Sequence, residues 1–178
     1  VDFTGVNPHG PNSAGFESGI FSPALGQGEH AGKAGDVTIE TGCLSVTHGA
    51  VITSSTAGGG DGGNITVNAE ESVHISGTAS DIELKEPLES QIEFQAHVSQ
   101  SDVPQSGEHV GSGIYSVCQS TESPGGDAGF IRVTSPDLFL SDEGKISVSS
   151  AGPGRAGAVL LEVSRADMDT GASLSSAT

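Results

Sequence analysis

Apolar residues recur along this chain in short alternating runs. Val37-x-Ile39 returns as Ile65-x-Val67, Ile131-x-Val133 and Val159-x-Leu161. A second set reads Leu44-x-Val46, Leu138-x-Leu140 and, more weakly, Ala166-x-Met168. A third centres on Ile52, Ile146 and Leu174. Period-two alternation over so few residues predicts strands with one buried face, because successive side chains point to opposite sides. Gly, Asn, Asp or Pro stand at the joints, as turns require.

The runs belong to a larger repeat. Shifted by about 94 residues, "AGDVTIETGCLSV" at 34–46 falls on "AGFIRVTSPDLFL" at 128–140, and "SGIFS" at 18–22 falls on "SGIYS" at 112–116. A finer period of about 28 residues relates "GDVTIE" to "GNITVN" and "GFIRVT" to "GAVLLE". Such a unit cannot bury its own apolar face, so the units stack. The pattern predicts one all-β solenoid domain over residues 1–178, with about five coils. Each coil is expected to hold three short strands and three turns. Each strand should pair in parallel with its copy about 4.8 Å away.

One corner carries extra chain. Residues 79–111 intervene where the corresponding link near the start, "VNPHGPNSAGFE", is shorter. They read as a protruding excursion, dispensable for the coils. Ile92, Phe94, Ala96 and Val98 alternate within it, predicting an added strand near 91–98.

Composition alone would suggest disorder: 27 Gly, 4% aromatics and no Trp. The periodicity turns that reading into many short strands and tight turns. The net charge of −17 argues against nucleic acid, whose phosphates need Lys and Arg, and against an anionic membrane surface. No apolar run approaches the roughly 20 residues of a membrane helix, so no membrane insertion is expected. The chain opens on "VDFTG" without Met and stops at "GASLSSAT", each partway through a coil. It therefore reads as an excised piece whose open ends would associate in isolation.

"GDVTIETGCLSVTHGAVITSSTAGGGDGGNITV", with "SGIYS" and the "GDAG" that follows it, resembles the haemagglutination-activity repeats of filamentous-haemagglutinin-like exoproteins. The resemblance covers nearly the whole chain. It implies a right-handed parallel β-helix, export by two-partner secretion, and a non-catalytic adhesive or structural role, secreted or at the cell surface. It also implies an outer-membrane secretion partner for the full-length protein, and a host-cell, neighbouring-cell or polysaccharide surface ligand. The family's export domain often carries Asn-Pro-Asn-Gly. Here Asn7-Pro8-His9-Gly10 matches only in part and falls in a link, so residues 1–34 are not assigned to that domain.

The alternative is a carbohydrate-active or carbohydrate-binding β-helix protein, like the polysaccharide lyases and hydrolases. Such sites need clustered carboxylates on one wall. Asp36, Asp61, Asp127, Asp137 and Asp142 are candidates, but most fall at turns, where Asp is favoured for backbone bonding. Gly58–Asn64, "GGGDGGN", is similar to calcium-binding glycine–aspartate loops, yet its downstream copy has Arg155 in place of Asp61. Asp81, Glu83 and Glu86 form a weaker acidic loop for Ca²⁺. His9, His30, His48, His74, His97 and His109 lack metal-ligand spacing. His48 and Asp142 share a repeat position but are expected two coils apart. An ice-binding wall of Thr38 and Thr66 is broken by Arg132 and Leu160. Cys43 and Cys118 fall at different points of the repeat and read as separate thiols. No catalytic, cofactor-binding or metal-binding residue is assigned.

Overall fold

The alternating runs fold as strands. The computed structural model describes residues 1–4, 19–24, 26, 31–78, 111–120, 125–169 and 171–178. Among them there is no helix, and the strands are β1 (Asp2–Thr4), β2 (Gly19–Phe21), β3 (Val37–Thr47), β4 (Val51–Thr53), β5 (Ile65–Ser76), β6 (Gly113–Cys118), β7 (Ile131–Ser141), β8 (Lys145–Ser150), β9 (Val159–Met168) and β10 (Ser173–Ala177). They make two parallel five-stranded sheets, one in the order β1-β3-β5-β7-β9 and the other β10-β8-β6-β4-β2. The chain thus visits the two sheets in turn, and each strand pairs with the strand two places along the sequence.

Register carries the repeat into space. Val37, Ile65, Ile131 and Val159 stand side by side across the odd-numbered sheet, as do Ile39, Val67, Val133 and Leu161. Along β3 and β7 buried and exposed positions alternate, as the pattern predicts. Ile20, Ile52, Ile114, Ile146 and Leu174 form the matching row of the even-numbered sheet. The inward rows of both sheets meet in one core. Each fully buried aliphatic side chain there contributes about 1.5–3 kcal/mol. Val159 and Leu161 are only half-buried because β9 has a neighbour on one side alone.

Three details differ from the sequence expectation. The first two runs of each repeat do not form separate strands: Val37-x-Ile39 and Leu44-x-Val46 both lie in β3. Two strands, not three, therefore serve each repeat. The backbone stays extended between the runs, and a length mismatch is absorbed by a bulge rather than a turn. Thr41 pairs with Ala69 but Cys43 with Ser72, so β5 carries one residue more than β3 at Glu70–Glu71. Second, Val73-x-Ile75 completes the row of Leu44-x-Val46 and Leu138-x-Leu140, which the shifted count had hidden. Third, Ile20 and Ile114 join the row of Ile52. The expected strand near 91–98 lies outside the described residues.

Where the even strands lead back towards the odd ones, adjacent repeats touch backbone to backbone. A Cβ on Gly63 would stand 2.3 Å from the carbonyl oxygen of Gly35 and 2.1 Å from Ser54 Oγ. Ser54 Oγ donates to Gly35 O at 2.6 Å, Ser116 Oγ to Gly63 O at 2.8 Å and Ser176 Oγ to Gly157 O at 2.9 Å. Serines on the even side thus satisfy carbonyls at the entrance to the odd strands.

The opposite corners are tight turns. His48 and Gly49 have φ of 55° and 82°, and Asp142 and Glu143 have 47° and 66°. Ala50 N donates to Thr47 O at 3.1 Å, and Gly144 N to Ser141 O at 2.8 Å. Two central residues with positive φ suit type I′ geometry.

Replacing Ile131 by Asp would bury an unpaired charge and should cost about 3 kcal/mol or more, read from the urea midpoint at unchanged slope. Glu143→Gly relieves a side chain in the left-handed region and should raise stability by about 0.5–1 kcal/mol, measured by thermal unfolding.

Candidate functional site

Among the flagged carboxylates, three are engaged in holding repeats together. Asp36 Oδ1 accepts the Asn64 N–H at 2.8 Å, and Asn64 Oδ1 accepts the Phe130 N–H at 3.1 Å. Asp61 Oδ1 accepts the Asp127 N–H at 3.0 Å, and Asp127 Oδ1 accepts the Arg155 N–H at 2.7 Å. Each acid or amide reads the backbone of the next repeat, just ahead of an odd strand. The Gly58–Asn64 stretch is a glycine-rich bend of this kind, and Asp61 is tied within it.

Asp137 and Asp142 lie elsewhere. Asp137 is in register with Ser72 and Arg165 on the odd-numbered sheet. Asp142 sits in the turn between β7 and β8, at the far end of the odd strands from Asp127. The five acids therefore do not converge. Among the described residues, no group of three or more His, Cys, Asp or Glu side chains could hold a metal ion.

His48 and Asp142 occupy equivalent turns with an intervening repeat between them: His48 N donates to Ser76 O at 3.2 Å, and Gly77 N to Asp142 O at 2.9 Å. Cys43 is exposed, with Sγ 3.3 Å from Glu71 Oε2, while Cys118 is buried; both are free thiols. The register also puts Thr38, Thr66, Arg132 and Leu160 in one row, so the two threonines are followed by a cation and an aliphatic. His9, His30, His97, His109, Asp81, Glu83 and Glu86 lie outside the described residues.

What the structure does assemble is on the outer face of the odd-numbered sheet. Ser45, His74, Phe139 and Asp167 form one row across β3, β5, β7 and β9. The rings of His74 and Phe139 stack at 4.4 Å between centroids, 25° from parallel. Arg165 on β9 brings Cζ to 5.6 Å from the Phe139 centroid and pairs with Asp167. Nearby, Arg132 pairs with Glu162 at 3.9 Å, and Thr134 Oγ1 donates to Glu162 Oε2 at 3.2 Å.

Sequence reading weighed His74 but missed its partner. The bulge in β5 changes the offset between paired residues from 66 at Asn68–Thr134 to 65 at His74–Phe139. A uniform shift therefore misaligns the two rings. The outer face of this sheet thus gathers two stacked rings, two guanidinium groups and their carboxylate partners.

The chain matches no family model, no curated protein and no solved structure.

If Asp127 serves the backbone, Asp127→Ala should lower stability by about 1 kcal/mol, whereas Asp127→Asn, which keeps an acceptor oxygen, should recover most of it. Paired urea titrations of the two variants measure this.

Proposed function

We propose that the chain is a segment of a right-handed parallel β-helical solenoid with a non-catalytic role. It would serve as a rigid spacer and adhesive surface of a large exoprotein resembling the filamentous-haemagglutinin type, secreted or at the cell surface. The observation that carries this reading is the alternation of strands between two sheets with the same inward positions returning in register. Parallel strands joined through another layer favour the right-handed crossing. The engagement of Asp36, Asp61 and Asp127 with neighbouring backbone supports a structural use of acids that an enzyme would gather in a groove. The partner class is a host-cell, neighbouring-cell or polysaccharide surface, met by the broad outer faces; export would use an outer-membrane partner.

One observation favours the second reading, a carbohydrate-binding β-helix. The His74–Phe139 stack beside Arg165 puts aromatic and charged groups on one accessible face.

Beads coated with the chain, presented to cells and to immobilised polysaccharides, test both. Adhesion without new reducing ends or unsaturated products is the expected outcome. Turnover of any polysaccharide would overturn the non-catalytic reading. Adhesion confined to polysaccharide, and reduced at least fivefold by Phe139→Ala, would favour the second.

A further inference from the structure

The ring stack on the odd-numbered sheet is part of a longer pile with one position open. Phe139 lies on β7, between β5 and β9. His74 on β5 stacks against it with centroids 4.4 Å apart, and Arg165 on β9 brings Cζ over the ring at 5.6 Å. Because β5 and β9 flank β7 on opposite sides, the two partners take opposite faces of Phe139. Asp167 holds the guanidinium of Arg165 from the same strand. Neighbouring strands are about 4.8 Å apart, so each planar group fills about one strand spacing.

The pile ends at His74. The row that carries the two rings continues through Ser45 on β3 to Asp2 on β1. The side chain of Ser45 extends one atom beyond Cβ and cannot cover a ring. His74 is exposed and Ser45 is half-buried. The outer face of the His74 ring thus looks across Ser45 towards Asp2, over two strand spacings, about 10 Å. That is the room one planar group needs between a ring and a carboxylate. The flanks are polar. On one side Glu71 turns towards β3, with Oε2 3.3 Å from Cys43 Sγ. On the other the hydroxyls of Thr4 and Thr47 lie 3.3 Å apart.

Chemistry selects the occupant. The position asks for a flat group that stacks on an aromatic face. Asp2 and Glu71, in a chain of net charge −17, ask for a cation that donates hydrogen bonds. A guanidinium meets both conditions: it is planar and permanently charged, stacks on rings, and carries five N–H donors at its rim. An ammonium supplies the charge without the plane. A pyranose supplies hydroxyls without the plane or the charge. The protein already shows the arrangement once, in Arg165 between the Phe139 ring and the Asp167 carboxylate.

We propose that the gap above Ser45, between His74 and Asp2, is a binding site for an arginine side chain of a basic partner protein. The pile then runs Arg165, Phe139, His74 and the partner's arginine, closed by the carboxylate of Asp2. The proposal rests on the adhesive reading for its setting, a partner surface, and adds the chemistry by which that surface is held.

Arginine-rich and lysine-rich peptides of equal length and charge, titrated against the full chain at about pH 8, test it. The arginine peptide should bind about two- to fivefold more tightly. Ser45→Phe fills the gap with a ring and His74→Ala removes its wall, and each should abolish that preference at an unchanged unfolding midpoint. Asp2→Asn should weaken the arginine peptide more than Glu40→Gln does, although both remove one charge from the same face. Equal affinity for the two peptides in the parent chain would overturn the proposal. A preference that survives Ser45→Phe would do the same, and if that variant also lost adhesion to polysaccharide the gap would belong to a sugar. Failure of the parent chain to adhere to any cell, with the arginine preference intact, would count against the adhesive reading and leave this site standing.

Discussion

Everything in this structure depends on how closely one repeat can lie on the next. At the corners that lead into the odd strands, the spacing is set by backbone meeting backbone, as at Gly63 over Gly35 and Gly129 over Gly63. A methyl group on either residue would collide with a carbonyl oxygen. The ladders of both sheets need neighbours about 4.8 Å apart. The corners must respect the same distance, and glycine is the residue that lets them. The serine hydroxyls at Ser54 and Ser116 then satisfy the carbonyls that this approach leaves inside. Glycines and serines at these corners, whose abundance by composition would resemble disorder, thus have a packing role.

The inward rows were legible from sequence because burial imposes a period of two and stacking imposes the longer repeat. Both constraints act on residue type, and Ile131 or Val67 cannot be exchanged for a polar residue without penalty. The merging of two runs into one strand was not legible. Backbone pairing does not select side chains at Thr41, Gly42 or Glu70, so nothing in their identities separates a turn from a bulge. The bulge in turn hid the His74–Phe139 stack, since one added residue shifts every later comparison on β5. At the candidate site, the turn preference of Asp36, Asp61 and Asp127 could be read, but the identity of the backbone donors could not. Those donors come from residues 28 or 66 positions away.

The two outer faces play different parts. The odd-numbered sheet carries polar and charged rows to its surface, with the ring stack among them. The even-numbered sheet carries the glycine–aromatic pairs Gly19-x-Phe21 on β2 and Gly113-x-Tyr115 on β6, with buried Val51 on β4 and Val117 on β6. Inner faces of both sheets are nearly interchangeable from repeat to repeat. Individuality resides on the outside, where the chain is free to vary without disturbing register.

The shared direction of the ladders has a mechanical consequence. Both sheets add strands in the same sequence order, so their backbone hydrogen bonds run along one axis. A tensile load along that axis falls directly on those bonds, with covalent links only at the corners. Resistance then grows with the number of bonds in parallel within a repeat, and hence with strand length. The eleven- and twelve-residue strands β3 and β5 share more load than the three-residue β4. Under strain the even side should part first, opening the molecule like a hinge whose pin is the odd-numbered sheet.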